Sequence, residues 1–517
     1  VSDSPPPNPT KSSSSSRSKR SRRKLIIPEA DRPRPIAETA IILVLIALVI
    51  GPLVLGSYYE PYRWPLLIVS ALATVVAWFD KGTWRKPPWL LWVLITGLIA
   101  HAGWMTYNAW GNYLTDPFDW DKQIVQRADQ PHPDLPGAMA LNESLDRITY
   151  IIPCLLLVWI VRSLCITRPN FLRRVLTTLF WSGTAIGILG LLQQFTEAKG
   201  IFWSEELSWK YLSLFFATFR SPGIASTYLN VCLAAGLGLA LHHPGGRLRP
   251  GKAVLYAIGS VILASAVVAA GSKAGIVLAG VTLLLFLAMN LRTMSSLFFK
   301  KRDAVGPKRI ERLTLTVALL AILSLGALSL AELQVKRWEK AIDTDFGSWQ
   351  ARVKMNEVQI HMMTDKAWSP LLGYGVGSFH PLFPVFKNQV DEKIYGEVYY
   401  SHNDYLQTLV EWGWGGTGAF ILLIGGGVGL LFVEIIFRSR HHRRSQLVLL
   451  RSVFIGMFTF LLHANVDFPF QIESLAVIFA VLLGIGWASP HLRNQKPRKK
   501  KSKSRREPKP EGATQNG

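Results

Sequence analysis

Residues 41–56 read IILVLIALVIGPLVLG, sixteen positions without a charge. A helix needs about 20 predominantly apolar residues to cross the hydrocarbon of a bilayer, and the apolar run around this stretch, 38–58, has that length. It ends in Gly56-Ser57-Tyr58-Tyr59-Glu60, with no small-x-small cleavage pattern. The polar segment before it is too long for the n-region of a signal peptide, so the run reads as an uncleaved first span. Eleven further runs of spanning length follow, at about 64–79, 88–106, 148–166, 172–195, 222–241, 253–271, 274–291, 313–332, 413–437, 447–465 and 471–489. The expectation is an all-α polytopic membrane protein of about twelve transmembrane helices.

The composition agrees. Of the 517 residues, 49% are hydrophobic and 18% charged, and the mean hydropathy is +0.23. Soluble domains carry roughly 25% charged residues, so a single water-soluble core is excluded, as are disorder and collagen-like repetition for the whole chain. Cys154, Cys165 and Cys232 lie in or at the ends of apolar runs and form no CxxC. They read as small buried hydrophobes, with neither a zinc site nor a disulfide framework.

The net charge of +23 and the pI near 10 would suit nucleic acid, but the charge is placed otherwise. The segments 1–38, 80–87, 162–174, 243–252, 292–312, 438–446 and 491–517 are each net positive, and the remainder of the chain is net negative. Lys and Arg thus fall in alternate connections, as the positive-inside rule requires. The basic charge is a topology signal and a contact for anionic membrane lipids. Both termini are expected in the cytoplasm: 1–37 as a disordered, basic, Pro/Ser-rich tail, 38–490 as the transmembrane domain, and 491–517 as a second basic tail. Two long segments then fall outside, 107–147 and 333–412, and polar loops of that length are uncommon without a function.

The ionisable residues at the outside boundaries are few: Arg220, Lys273, Arg352, His402, Asp404, His463 and Asp467. Cations near span ends commonly only snorkel. Arg220 and Lys273, however, lie on the face where the topology otherwise avoids cations, and three cations at one interface suit a phosphate or pyrophosphate. His402 reads most simply as a residue near a helix start, with Ser401, Asn403 or Asp404 as N-cap. It is also the one histidine beside the membrane at the end of a long outside loop, where a neutral imidazole can take a proton from a sugar hydroxyl. The glycines of Gly373-Tyr374-Gly375-Val376-Gly377 imply a tight turn or close backbone approach. The pairs Asp119/Asp121 and Asp343/Asp345 form DxD patterns that can hold a divalent metal, but they read as solvated loop carboxylates.

The order of these pieces resembles the O-antigen ligase and O-antigen polymerase family of bacterial membrane glycosyltransferases. The resemblance lies in Arg220-Ser221-Pro222-Gly223, Gly271-Ser272-Lys273-Ala274-Gly275, and Arg352 upstream of Gly373-Tyr374-Gly375-Val376-Gly377. It continues through Ser401-His402-Asn403-Asp404-Tyr405-Leu406-Gln407, Glu411 and Gly413, and ends at His463-Ala464-Asn465-Val466-Asp467. It covers about 219–487, while 36–218 matches in hydropathy alone. One departure is Ser272-Lys273-Ala274, where the family usually has Ser-Arg-Gly; lysine keeps the charge but not the bidentate fork.

The resemblance implies a GT-C-like fold with its site on the periplasmic face of the bacterial inner membrane. It implies transfer of an undecaprenyl-pyrophosphate-linked oligosaccharide or polysaccharide to a sugar hydroxyl, on the lipid A core or on another lipid-linked glycan. Arg220, Arg352 and Lys273 would hold the pyrophosphate, and His402 would orient or deprotonate the acceptor. Asp404, Asp467 and His463 would support them, and the reaction would be inverting, with no metal or cofactor. Two other classes compete. A transporter or flippase would place charges on several spans near the midplane. A lipid-monophosphate-sugar glycosyltransferase would use a carboxylate of an early outside loop, here Asp119 or Asp121. A structural or scaffold role is the remaining option.

Overall fold

The computed structural model describes residues 35–57, 61–84, 88–115, 123–127, 129–168, 170–204, 215–242, 250–298, 347–365, 369–390 and 398–493. The protein is a membrane protein built as a helical bundle. Its helices are α1 (Pro35–Leu53), α2 (Trp64–Trp78), α3 (Trp89–Tyr107), α4 (Leu141–Thr167), α5 (Phe171–Phe195), α6 (Pro222–Leu241), α7 (Pro250–Ala270) and α8 (Lys273–Phe298). They continue with α9 (Gly347–Thr364), the single turn α10 (Ser369–Leu372), α11 (Phe379–Val390), α12 (Asp404–Ile436), α13 (Arg444–His463) and α14 (Glu473–Ala488). Among the described residues ten helices are long and apolar enough to span a bilayer, and α2 is a shorter apolar helix. The expected span 313–332 and both DxD pairs lie outside the described residues, as do 1–34 and 494–517 of the two tails.

The bundle centres on α6 and α14, the two most enclosed spans. Lipid tails are as apolar as leucine, so helices associate in membranes by close packing at small residues. α6 follows that rule. A Cβ on Gly236 would lie 2.7 Å from the Phe180 ring of α5, and one on Gly238 would lie 2.1 Å from Ser452 Oγ of α13. α14 packs on α4, α1 and α12, and Gly484 leaves room for the backbone of Val158. Cys165 and Cys232 are buried in this interior, and all three cysteines are free.

Described residues of the basic segments meet at one end of the bundle, where Arg162 also lies 3.1 Å from His491. There Arg174 pairs with Glu38 at 2.7 Å, and the buried Glu434 carboxylate accepts from Arg438, His442 and Arg493. The opposite end gathers the turn after α1, the described residues 108–115, 129–140 and 215–221, the turn at Gly271, and residues 369–390, 398–403 and 464–472.

The structure differs from the hydropathy reading at three points. Helix α12 starts at Asp404 rather than near 413, and α4 starts at Leu141 rather than near 148. In both, polar residues of the first two turns are sheltered by protein, which hydropathy cannot register. The segment 107–147, expected outside, also holds a two-stranded antiparallel ribbon, β1 (Gly111–Thr115) with β2 (Gln123–Arg127). Within 333–412 the described residues form α9, α10 and α11 and the start of α12.

Candidate active site at the non-basic end of the bundle

His402 stands just before Asn403, the N-cap of α12, and its backbone is left-handed at φ 54°. That region is uncommon for a residue with a side chain, although histidine tolerates it better than most. Its neighbours hold it there. Ser401 Oγ donates to the Asn403 carbonyl at 2.7 Å and accepts from Asn403 N at 3.0 Å, which closes a loop around His402. Asn403 is the N-cap of α12, its side chain accepting from Leu406 N. A left-handed residue just ahead of a capped helix turns its side chain away from the helix axis and across to the α13–α14 connection.

There His402 meets Asp467. His402 Nδ1 lies 3.2 Å from Asp467 Oδ1. A carboxylate only accepts, so Nδ1 is the donor, and in the neutral imidazole Nε2 then carries the lone pair. Burial pushes the Asp467 carboxyl up, but the hydrogen bond from His402 and the charges of His402, His463 and Arg352 outweigh it and hold the group below the ordinary aspartate range. The aspartate is ionised at neutral pH and fixes the histidine tautomer.

Asp467 is held from two further sides. Gly223, in the first turn of α6, faces it so closely that a Cβ there would lie 1.7 Å from Asp467 Oδ2. His463 is buried, with Nε2 3.9 Å from the same oxygen and Nδ1 2.6 Å from Thr227 Oγ1. The Thr227 hydroxyl donates to the Gly223 carbonyl at 3.0 Å, so it accepts from His463 and anchors it to α6. Asp404 faces elsewhere. Its carboxylate accepts from Phe470 N at 2.8 Å and Gln471 Nε2 at 3.1 Å, and its own N–H donates to the Ala464 carbonyl. It ties the start of α12 to the connection that carries Asp467.

The three cations sit on separate elements. Arg220 stands just before Ser221, the N-cap of α6, and Lys273 is the first residue of α8. The two helix starts lie side by side: Asn230 Nδ2 of α6 donates to the Gly275 carbonyl at 3.0 Å, and a Cβ on Gly275 would strike Ser226. Ser272 Oγ accepts from Gly275 N and caps α8. Arg352 comes from α9 and acts on Asp467 by its charge. All three, and His402, are half-buried. Neighbouring helix N-termini add positive potential to the cations, so the end of the bundle that holds His402 and Asp467 also favours an anion.

The glycine-rich loop supports this face by backbone contact. Gly373, Gly375, Gly377 and Gly413 all have positive φ. A Cβ on Gly373 would lie 2.5 Å from the backbone of Glu411 and Gly413, and one on Gly413 would lie 2.4 Å from Leu371. Tyr374 N donates to the Val410 carbonyl and Gly375 N to the Glu411 carbonyl, both at 2.9 Å. Helix α12 kinks at Gly413 to admit this strand-like contact. Glu411 also accepts from Phe379 N, at the start of α11.

The hydropathy reading left out a second group of ionisable residues beside the first. Arg63, Arg147, Glu411 and Glu473 are all buried. Arg63 donates to both carboxylate oxygens of Asp146 and lies 3.8 Å from Glu473. The Arg147 guanidinium sits over the Tyr400 ring, 5.1 Å from its centroid. Tyr400 stacks on Phe468 at 4.7 Å, and Phe468 meets the His402 imidazole edge-on at 4.9 Å. A sequence signal existed, in Asp146-Arg147 next to an apolar run, but a neutral pair is silent in a charge count.

Residues 258–421 match the family model described as O-antigen ligase. That span contains Lys273, Arg352, the glycine-rich loop, His402 and Asp404; Arg220, His463 and Asp467 fall outside it. No curated protein matches the chain.

Proposed function

Because this membrane protein carries an O-antigen ligase domain and is an enzyme of the glycosyltransferase kind, we propose that it moves a glycan from an undecaprenyl-pyrophosphate carrier to a sugar hydroxyl at the outer face of a bacterial inner membrane. The observation that carries the reading is the His402–Asp467 pair beside the cationic helix starts of α6 and α8.

In this reading the pyrophosphate of the donor lies against Arg220, Lys273 and Arg352. The acceptor hydroxyl approaches His402 on its Nε2 side. As the hydroxyl oxygen bonds to the anomeric carbon, its proton passes to Nε2. The bond from that carbon to the pyrophosphate oxygen breaks, and the carrier pyrophosphate leaves with the electron pair. Attack opposite the leaving group inverts the anomeric centre. The cations neutralise charge that grows on the leaving group, which is where preorganised charge lowers a barrier most. Asp467 keeps the imidazole in the reactive tautomer and stabilises it once protonated, and Asp404 and His463 keep Asp467 in place. The acceptor is a lipid A core sugar for a ligase or a second lipid-linked glycan for a polymerase. The basic end of the bundle, and with it both termini, faces the cytoplasm.

The test is transfer by purified His402→Ala in liposomes at saturating donor. General-base assistance is worth about 10²–10⁴-fold, so a loss of that size with donor binding retained is expected. Full activity would remove the histidine from the mechanism.

A further inference from the structure

Arg147 has no role in the reaction as drawn above, and its surroundings are unusual. It lies in the second turn of α4 and is 9% exposed. Among the described residues its Nε has no hydrogen-bond partner. Taking a guanidinium out of water costs several kcal/mol unless hydrogen bonds and opposite charge repay it. Glu411 and Glu473 stand near enough for their charge to act on it, yet among the described residues its guanidinium sits over the face of an aromatic ring. Its stem is also held, since a Cβ on Gly377 would lie 3.0 Å from Arg147 Cγ.

We propose that Arg147 is a positioning residue for His402, acting through the Tyr400 ring. The proposal rests on the reading of His402 as the base. Tyr400 and His402 are two residues apart on one short arm, and Ser401 between them is buried and braced on Asn403 and Gln407. The Tyr400 ring is clamped between the Arg147 cation and Phe468. Phe468 in turn sets the plane of the imidazole. It also follows Asp467 directly, and its N–H donates to Asp467 Oδ1 at 3.1 Å. Arg147 therefore presses one ring against another whose own backbone carries the aspartate. Cation–π contacts strengthen when desolvated, as this one is. The neighbouring chain of Glu473, Arg63 and Asp146 joins α14, α2 and α4 and gives the clamp a rigid footing.

A merely structural arginine would change how much protein folds, while a positioning arginine changes the turnover of the protein that does. The experiment is a double-mutant cycle on purified protein in liposomes, reading kcat per folded molecule and KM for the donor. Arg147→Gln and Tyr400→Leu are each expected to lower kcat by about 10- to 10²-fold, the scale of a misplacement near 1 Å, with donor KM changed less than about threefold. Arg147→Lys should recover part of the loss, and Tyr400→Phe, which keeps the ring, should lose far less than Tyr400→Leu. The double variant should be no worse than the poorer single, because both break one path. If Arg147→Gln does not fold, Arg147→Lys in the Tyr400→Leu background completes the same cycle. Losses that multiply in the double variant, or losses in donor KM alone, would overturn the proposal. His402→Ala run alongside separates the two readings. If it is inactive while the cycle multiplies, only the positioning role fails; if it is fully active, the base reading fails and takes the positioning role with it.

Discussion

Replacing Gly223 by alanine adds one carbon to the first turn of α6 and aims it at the Asp467 carboxylate. The new Cβ would lie 1.7 Å from Oδ2, where real contacts stay above 3.0 Å, so the carboxylate must give way by at least about 1.3 Å. Asp467 cannot move that far and keep its partners. Its Oδ1 accepts from His402 Nδ1 at 3.2 Å and from Phe468 N at 3.1 Å, and a separation beyond about 3.5 Å ends a hydrogen bond. The imidazole then loses the acceptor that sets its tautomer, and a misplacement of this size costs about 10²-fold in rate. Stability should fall much less. Overpacking costs roughly 1–3 kcal/mol, and alanine returns up to about 1 kcal/mol in helix propensity. The assay is kcat of purified protein in liposomes at saturating donor, with thermal unfolding in detergent as the folding control. Gly223→Ala should fall to the level of Asp467→Asn, and the two together should be no worse than the poorer single. A folded Gly223→Ala within threefold of the parent would refute the reasoning, since it would mean that the His402–Asp467 bond can be displaced without consequence.

Arg220→Ala and Arg352→Ala should abolish transfer, while Lys273→Arg should retain or improve it, because a forked cation serves a pyrophosphate at least as well as an ammonium. A Lys273→Ala protein as active as the parent would reduce that residue to an interfacial anchor. Gly373→Ala should leave little folded protein, since it combines φ 72° with a Cβ 2.5 Å from the Glu411 backbone; Gly418→Ala, where a Cβ meets nothing within 4 Å, should be at least as stable as the parent. Asp467 is held below the ordinary aspartate range, so its share of stability is complete above about pH 4 and is lost as pH falls through the lowered value. The gap in unfolding temperature between the parent and Asp467→Asn should hold steady above about pH 5 and narrow below about pH 4; a gap that does not narrow would mean that the pair does not favour the ionised carboxyl.

Much of this architecture was legible in the sequence because a bilayer is an intolerant solvent. Uncharged runs such as 41–56 have one stable outcome there. The places where hydropathy misled are those where protein, not lipid, covers the helix. Asn142–Arg147 is helical, but its polar side chains made it read as loop, and Asp404–Glu411 fell outside the apolar run 413–437 although a helix start was read at His402. Sheltering by a neighbouring segment is a tertiary fact, so no window average contains it. The reading of 141–147 as outside loop also hid the Arg147 and Glu473 neighbourhood, since Asp146 and Arg147 cancel in any charge sum.

The candidate site was legible as a set of residue types but not as a division of labour. Asp404 and Asp467 stand alike in sequence, each close to a histidine at a span end. The fold parts them: Asp404 is spent on Phe470 N and Gln471 Nε2, while Asp467 is aimed at His402. His402 and His463 part in the same way. One is half-exposed in a left-handed turn, and the other is sealed against Thr227. What decides is the small residue opposite. Gly223 opens the slot into which the Asp467 carboxylate fits, and Gly377 opens the one along the stem of Arg147. The glycines of this face are therefore as specific as its charges, because each fixes which ionisable side chain can reach the site and which must bond elsewhere.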